Sequence, residues 1–388
     1  MHLFPSFQPQ VRQILDNVPA LIEKVFPVPA RFRSALPADI RELSRLLTSA
    51  RGERALSYLG RPNLLSAYLR YFLPWNLYRL CRLLPGLELS LKPGDVIIDL
   101  GSGPLTMPAA LWISRPELRS LPLEFRCIDQ NSPVLEAGKK FFSALCGSGC
   151  PWKVHITKGD IGKAKARQPA ALVCALNVFN EMQNKLSHSE KGQIQKAENA
   201  SRLLKGLTSA NGSILVVEPG TPNSGQFVSL LRGALLGYGF SPVSPCPHTA
   251  ACPMPGGFSV IGGQKTKNRW CHFAFETDHA PKALHRLSAL AKIPKERAVL
   301  SFLLAGNTSG RKNLTGVRVV SDAFSLTHGH FGRYACCACG LVLLAGEKKA
   351  MEKASSGSLI PVELTGNEER DSKSGALISF LDTEINFA

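Results

Sequence analysis

Long apolar runs are what this sequence most plainly lacks. No stretch of about 18 residues or more, the length a bilayer-spanning helix needs, stays apolar and uncharged, so no transmembrane helix is expected. A basic start leading into an apolar segment is missing too. The chain opens MHLFPSFQPQVRQILDN, which reads against a secretory leader and, with little Arg and Ser, against a mitochondrial presequence. The expected compartment is therefore the bacterial cytoplasm, with the mitochondrial matrix as the alternative. Acidic residues are scarce: 29 Asp and Glu face 46 Lys and Arg, a net charge of +17. Solubility needs only a few charges, and an excess of this size points to a polyanion, with RNA the natural candidate. From Glu347 onward five Lys/Arg meet eight Asp/Glu, so the positive excess belongs to residues 1–346. Neither DNA nor a membrane is an expected partner.

Hydrophobic residues make up 44% of 388, enough to bury a core in one large domain with additions, or in two. Residues from about 38 to 86 read as helices, since Ile40, Leu43, Leu46 and Leu47 recur at helical spacing. A second stretch, LLSAYLRYFLPWNLYRLCRLL, is interrupted by Pro74. Eight arginines (Arg41, Arg45, Arg51, Arg54, Arg61, Arg70, Arg79, Arg82) give this helical cap a basic face, equally suited to solvent or to RNA. Strands and helices then alternate, the pattern of a parallel sheet. Strands are expected at 95–100, 123–129, 153–158, 171–176 and 213–218, and helices at 105–114, 132–145, 187–204 and 225–236. A Pro/Gly/Cys-rich interruption runs from 242 to 263, and two more strands are expected at 298–304 and 334–344. The polar remainder from 347 reads as a flexible tail.

Asp99-Leu100-Gly101-Ser102-Gly103-Pro104 falls where the first strand of a nucleotide-binding fold turns into its helix, and glycine there lets backbone approach a ligand. The next strand ends in Asp129, placed to accept hydrogen bonds from both hydroxyls of a ribose. Asp160 follows the third strand, within reach of an adenine amine, and Asn177 ends the fourth at the mouth of the sheet. A third glycine for a dinucleotide pyrophosphate is missing, which favours S-adenosylmethionine over a nicotinamide cofactor. The expected cofactor-binding residues are Asp99, Gly101, Ser102, Gly103, Asp129, Asp160 and Asn177. No Asn-Pro-Pro-Tyr-type segment follows the fourth strand, so amino-nitrogen methylation by that chemistry is not supported. Pro245-Cys246 is compatible with cytosine-C5 chemistry but lies after the fifth strand, and no catalytic residue is singled out.

Without a secretory leader, the 11 cysteines do not read as disulfides. Cys81, Cys127, Cys146, Cys150 and Cys174 have the look of ordinary core or surface residues. The others gather late, at Cys246, Cys252 and Cys271 and then at Cys336, Cys337 and Cys339. Thiolates collected from Pro/Gly-rich loops hold zinc or an iron–sulfur cluster, and this spacing leaves both open. The fold class expected is α/β: a Rossmann-like class I methyltransferase sheet with an N-terminal helical region and a cysteine-rich metal-binding insert. The boundaries expected are 1–90 for the helical region, 91–240 for the S-adenosylmethionine-binding core, 241–346 for the insert and final strands, and 347–388 for the tail.

Several segments together resemble one family: YFLPWN at 71–76, DLGSGP at 99–104, NVFNE at 177–181, VEPGTP at 217–222, PCPH at 245–248, WCHF at 270–273 and GRYAC at 332–336. The chain resembles the ribosomal small-subunit-associated methyltransferase-like proteins, mitochondrial methyltransferase-like protein 17 and its yeast and bacterial counterparts. That resemblance runs from about residue 38 to 346. It implies a [4Fe–4S] cluster on Cys246, Cys252, Cys271 and Cys336, with Cys337 and Cys339 as alternatives for the fourth ligand. It also implies association with the small ribosomal subunit and its rRNA during assembly. The function expected is that of an S-adenosylmethionine-dependent rRNA methyltransferase. The alternatives are a non-catalytic assembly factor with a vestigial methyltransferase fold, or a zinc-stapled methyltransferase for a small molecule. His248 and His272 could support the cluster, and Lys265, Lys267 and Arg269 could meet rRNA phosphates.

Overall fold

The computed structural model describes residues 2–48, 58–182, 189–256, 260–261, 264–265, 269–307, 314–362, 364 and 369–381, with the backbone alone at 260–261 and 264–265. Five helices come first: α1 (Pro9–Val25), α2 (Ala30–Arg33), α3 (Leu36–Leu47), α4 (Pro62–Ala67) and α5 (Leu73–Leu83). Amphipathic spacing accounts for the longer ones, because α1 buries Val11, Leu15, Val18 and Ile22 while α3 buries Ile40, Leu43 and Leu46. Pro74 does not break the path as expected. Residues Tyr68–Phe72 make one π turn in which the Leu73 N–H donates to Tyr68 O. Pro74 then falls in the first turn of α5, where its missing N–H costs nothing.

Of the eight arginines expected to give the cap a basic face, Arg41, Arg45 and Arg61 are exposed, while Arg70 and Arg82 turn inward. Arg51 and Arg54 lie outside the described residues. Arg70 pairs with Glu23 at 3.0 Å, and Arg82 donates to Pro5 O at 2.6 Å while lying over the rings of Phe7 and Phe275. Arg70 thus turns onto α1 and its C-terminal end, and Arg82 onto the N-terminal segment.

The sheet is built from β1 (Val96–Leu100), β2 (Glu124–Asp129), β3 (Lys153–Lys158), β4 (Ala170–Leu176), β5 (Thr208–Pro219) and β6 (Ser241–Ser244). A two-stranded hairpin follows, β7 (Val260–Ile261) and β8 (Gln264–Lys265), and then β9 (Phe273–Glu276) and β10 (Arg297–Gly306). Between the strands lie α6 (Thr106–Ser114), α7 (Ser132–Cys146), α8 (Glu190–Leu207), α9 (Pro222–Gly237) and α10 (Lys282–Leu290). The strand order is β3-β2-β1-β4-β5-β10-β6, with β9 also pairing β10. Strands β1 to β5 run parallel, whereas β10 is antiparallel to β5, β6 and β9. The chain therefore winds outward from β1 to β3 and crosses back to β4. The crevice at the carboxyl ends of β1 and β4 is the switch point where such Rossmann-like sheets bind ligands.

Alternation along the strands feeds two cores. Ile97, Phe125, Leu172 and Leu215 face α5, α6 and α7, while Ile98, Val173, Ile214 and Val216 face α8 and α9. Helix α6 is buried on nearly every side because the N-terminal helices cover the face it does not give to the sheet.

A second sheet follows: β11 (Val317–Val319), β12 (Phe324–Ser325), β13 (Phe331–Cys337), β14 (Gly340–Gly346), then α11 (Lys348–Lys353), β15 (Leu359–Ile360) and β16 (Leu377–Phe380). Its order is β15-β11-β13-β14-β16, with β12 on β13. The single strand expected at 334–344 is thus a hairpin, turning at Ala338-Cys339 with Cys337 opposite Gly340. Its continuous apolar character hid the turn. The segment expected as a flexible tail supplies α11, β15 and β16. Met351, Ile360, Leu377 and Leu381 close a third core under Ala335, Val342 and Leu344. These apolar residues are spread thinly among polar ones, so composition alone does not reveal them. Residues 382–388 lie outside the described part.

Candidate cofactor and metal sites

The turn after β1 is shaped by close packing. Gly101 has φ +63, and a Cβ on it would meet Val178 Cγ2 at 2.5 Å. On α7, a Cβ on Gly138 would sit 2.3 Å from the carbonyl carbon of Pro104, so the helix can press directly on the loop. Over Gly103 the space is open, with the Tyr68 hydroxyl 4.0 Å away as the one neighbour.

Asp99 is 1% exposed and accepts from the Ser102 hydroxyl. Its Oδ1 is buried without a hydrogen-bond partner, and burial pushes its pKa up to about 7. Asp129 holds the loop: Oδ2 accepts from Gly103 N at 2.9 Å and Oδ1 from Asn131 N at 2.9 Å. Each oxygen keeps a lone pair for a further donor. Burial raises Asp129 as well, against the pull of its backbone donors.

Asn177 lies directly after β4 with φ +55. Its side-chain oxygen is 3.5 Å from Arg79 Nη2, and Arg79 also donates to Asn76 and to Val299 O. Tyr68, Asn76 and Arg79 line one pocket with Gly101, Ser102, Gly103 and Asn177. Six of the seven expected cofactor residues therefore surround the switch point. Asp160 is exposed and accepts from Gly162 N at 2.9 Å, capping a short 3-10 turn.

Sequence reasoning missed the side chain that shapes the far wall. Glu218, at the end of β5, is fully buried and accepts from the backbone N–H groups of Val178, Phe179 and Asn180 at 3.1, 2.9 and 3.0 Å. One carboxylate thus fixes the loop that carries Asn177. Burial lifts Glu218 to about 7, opposed by those N–H donors and by Lys196. The signal was an acidic residue closing the otherwise apolar run Ile-Leu-Val-Val. The covering residues Tyr68 and Arg79 left no such signal, since they come from a distant helix.

Cys246, Cys252, Cys271 and Cys336 line a second pocket together with His248, Arg232 and Arg318. Cys246 and Cys252 come from the loop after β6, Cys271 from just before β9, and Cys336 from β13. Cys337 points to the other side of its sheet, into the third core, and Cys339 is exposed at the hairpin turn. Burial pushes the Cys246 thiol up to about 11 and those of Cys271 and Cys336 well above the ordinary range. Among the described residues no group of three or more His, Cys, Asp or Glu that could hold a metal ion is found, so the expected metal-binding character of the insert is not shown.

His248 is 3% exposed with Nδ1 unpartnered, and burial holds its pKa near 4. His272 stacks on Trp270 at 4.9 Å. Of the three cations expected to meet phosphate, Lys267 and the side chain of Lys265 lie outside the described residues. Arg269 instead donates to the carbonyl oxygens of Ser374 and Lys373.

Parts of this chain are similar to three solved structures. A SAM-dependent methyltransferase from Thiobacillus denitrificans, in complex with S-adenosyl-L-homocysteine, is 12% identical, with 60% of this chain and 90% of that one covered at a TM-score of 0.33. Magnesium protoporphyrin IX methyltransferase from Synechocystis, with bound S-adenosyl-L-homocysteine, is 11% identical over 70% and 100%, at 0.35. A SAM-dependent methyltransferase from Geobacter sulfurreducens is 12% identical over 68% and 97%, at 0.32. No curated protein matches the sequence. Residues 159–332 match the family described as mitochondrial small ribosomal subunit Rsm22, a span that holds Asn177, Glu218 and three of the four pocket cysteines. Over that span the chain is similar to Rsm22, and it resembles the ribosomal small-subunit-associated methyltransferase-like family.

Proposed function

We propose that this chain is a methyltransferase-like protein of the small ribosomal subunit that binds S-adenosylmethionine and a [4Fe–4S] cluster and acts on small-subunit rRNA. The observation that carries the reading is the convergence of four cysteines, from three separate segments of chain, on one buried pocket. Scattered core thiols have no reason to meet. Four thiols lining one pocket suit zinc or an iron–sulfur cluster, and the family resemblance favours the cluster. The unpartnered, buried Nε of Arg232 beside the sulfurs fits an anionic occupant. The cluster would pin the loop after β6, the approach to β9 and the second sheet to one another.

At the switch point, the donor set fits S-adenosylmethionine. Asp129 offers two spare lone pairs to a ribose diol, the free space over Gly103 admits a ligand against backbone, and Asp99 Oδ1 awaits a donor. The cofactor, when bound, supplies an electrophilic methyl group. The chain's own residues bind it, and Tyr68 and Arg79 exclude water from above. Exposed Lys153, Lys158, Lys163, Lys165 and Arg167 on and beside the edge strand β3 suit phosphate contact near this crevice. The family's description is of a mitochondrial protein, which favours the mitochondrial matrix over the bacterial cytoplasm. Among the described residues no helix is long and apolar enough to cross a membrane.

One observation favours a second reading, an assembly factor without turnover: Tyr68, Asn76 and Arg79 roof the pocket at Asn177 where a target base would enter. Calorimetric titration with S-adenosylmethionine tests the first reading. Binding to the wild type that is lost in Asp129→Ala supports a cofactor site. No binding to the wild type leaves the vestigial domain.

A further inference from the structure

We infer that Arg79 reads the methionine carboxylate of S-adenosylmethionine, so that the helical cap supplies the amino-acid end of a cofactor site whose nucleoside end belongs to the sheet. This rests on the cofactor reading proposed above. Three neighbours hold the Arg79 guanidinium at the switch point. Asn76 Oδ1 accepts from Nη2 at 2.5 Å one turn back along α5, Val299 O on β10 accepts from Nη1 at 3.2 Å, and Asn177 Oδ1 is 3.5 Å from Nη2. A side chain tied to a helix, a strand and the loop after β4 is ordered before a ligand arrives, which lowers the cost of binding.

All three acceptors are neutral. A guanidinium has about five N–H donors, so these bonds leave N–H groups for a ligand. Among the described residues no carboxylate touches Arg79. Burial pulls its pKa down. The groups that oppose this are Tyr68, whose phenol burial keeps neutral, and Glu218, which already accepts from three backbone N–H groups. Lys295 lies near enough for the two cations to repel, and burial together with Arg79 holds its pKa near 8. Positive potential is therefore left over at this point of the crevice.

The charges of the ligand decide which part of it comes here. Asp129 is placed for the ribose, and neither it nor Asp99 has anything to offer a carboxylate. S-adenosylmethionine carries a single anionic group, its α-carboxylate. Arg79 is the one cation among the described residues that line the pocket of Gly101, Ser102, Gly103 and Asn177. Its planar fork also matches a carboxylate in shape, which an ammonium does not.

The test is calorimetric titration of the full chain with S-adenosylmethionine and with its decarboxylated form, for wild type, Arg79→Gln and Arg79→Lys. Wild type should bind S-adenosylmethionine about 10- to 100-fold more tightly than the decarboxylated form, the range of one charge-assisted contact. Arg79→Gln should bind both with the affinity that wild type shows for the decarboxylated form. Arg79→Lys, which keeps the charge and loses the fork, should retain only part of the preference. If Arg79→Gln does not fold, the Lys variant decides: a reduced preference supports the inference, and the wild-type ratio contradicts it.

A wild type that binds both ligands equally overturns the inference and leaves the cofactor site standing. An Arg79→Gln variant that keeps the wild-type ratio, with both affinities unchanged or both weakened alike, also overturns it, because Arg79 would then be only a wall of the pocket. A wild type that binds neither ligand removes both the inference and the cofactor reading beneath it.

Discussion

The two pockets of this chain are assembled in opposite ways. At the switch point three carboxylates end parallel strands: Asp99 accepts from the Ser102 hydroxyl, Asp129 and Glu218 accept from backbone N–H groups, and Arg79 lies in the same pocket. In the cysteine pocket the buried charges are arginines, surrounded by sulfur and carried on a helix and a strand from two different sheets. The first pocket is a property of the sheet. It would persist with nothing bound, because its geometry is fixed by strand pairing and by the close approach of Gly101 to Val178. The second joins two sheets through loops with little regular structure, and four cysteines line it. One is a site that the fold offers to a ligand; the other, on the reading proposed above, is a site whose ligand completes the fold.

Breaking the second pocket should therefore cost the most. Cys271→Ser should abolish metal binding and remove several kcal/mol of folding stability, read as a fall in Tm on the order of 10 °C by calorimetry. Cys337→Ser, on the opposite face of its sheet, should leave metal content unchanged. Equal effects of the two would erase the distinction between the pocket and an ordinary core.

The buried carboxylates give the next effect, one of pH. Asp99 in the folded chain titrates near 7, well above an unfolded aspartate near 4. Its folded form holds the proton longer, so the stability this confers is full below about pH 4 and fades as pH rises through about 7. Denaturant titrations of wild type and Asp99→Asn across that range should diverge by a few kcal/mol in order of magnitude, with the variant flatter. Glu218 leaves a residual slope of the same sign in the variant. Parallel curves would mean that burial does not govern Asp99.

Backbone packing gives smaller changes. Gly101→Val forces a side chain into Val178 at a positive φ and should cost about 1–3 kcal/mol, with S-adenosylmethionine affinity down at least about tenfold by calorimetry. Glu218→Gln, which leaves one of three N–H donors poorly matched, should cost about 1–2 kcal/mol and weaken the same binding severalfold. A Glu218→Gln variant that binds as tightly as wild type would show that the Asn177 loop needs no anchor.

What could be read from the sequence follows the same division. The stretch Asp99–Pro104 is contiguous, and the strand before it and Asp129 after the next strand have fixed places in any Rossmann-like sheet, so local pattern located them. The four cysteines could be named from the sequence, but their meeting in space depends on β13 lying against the loop after β6. That is a tertiary fact. Arg232 and Arg318 gave no signal because an arginine in sequence reads as surface, whereas both are buried. Nothing in the VEPGTP motif marks a role for Glu218, since its partners are backbone N–H groups 38 to 40 residues away. The strands after residue 347 were missed because their apolar residues are few and complete a core supplied mostly by others.

The central claim is that the cysteine pocket completes the fold around a metal centre. Full-length protein purified without oxygen, analysed for iron, acid-labile sulfide and zinc beside its visible spectrum, tests it most directly. About four irons per chain with matching sulfide, and a broad absorbance that bleaches on reduction, is the result expected. A colourless protein with neither iron nor zinc, as stable as before under a chelator, would contradict it.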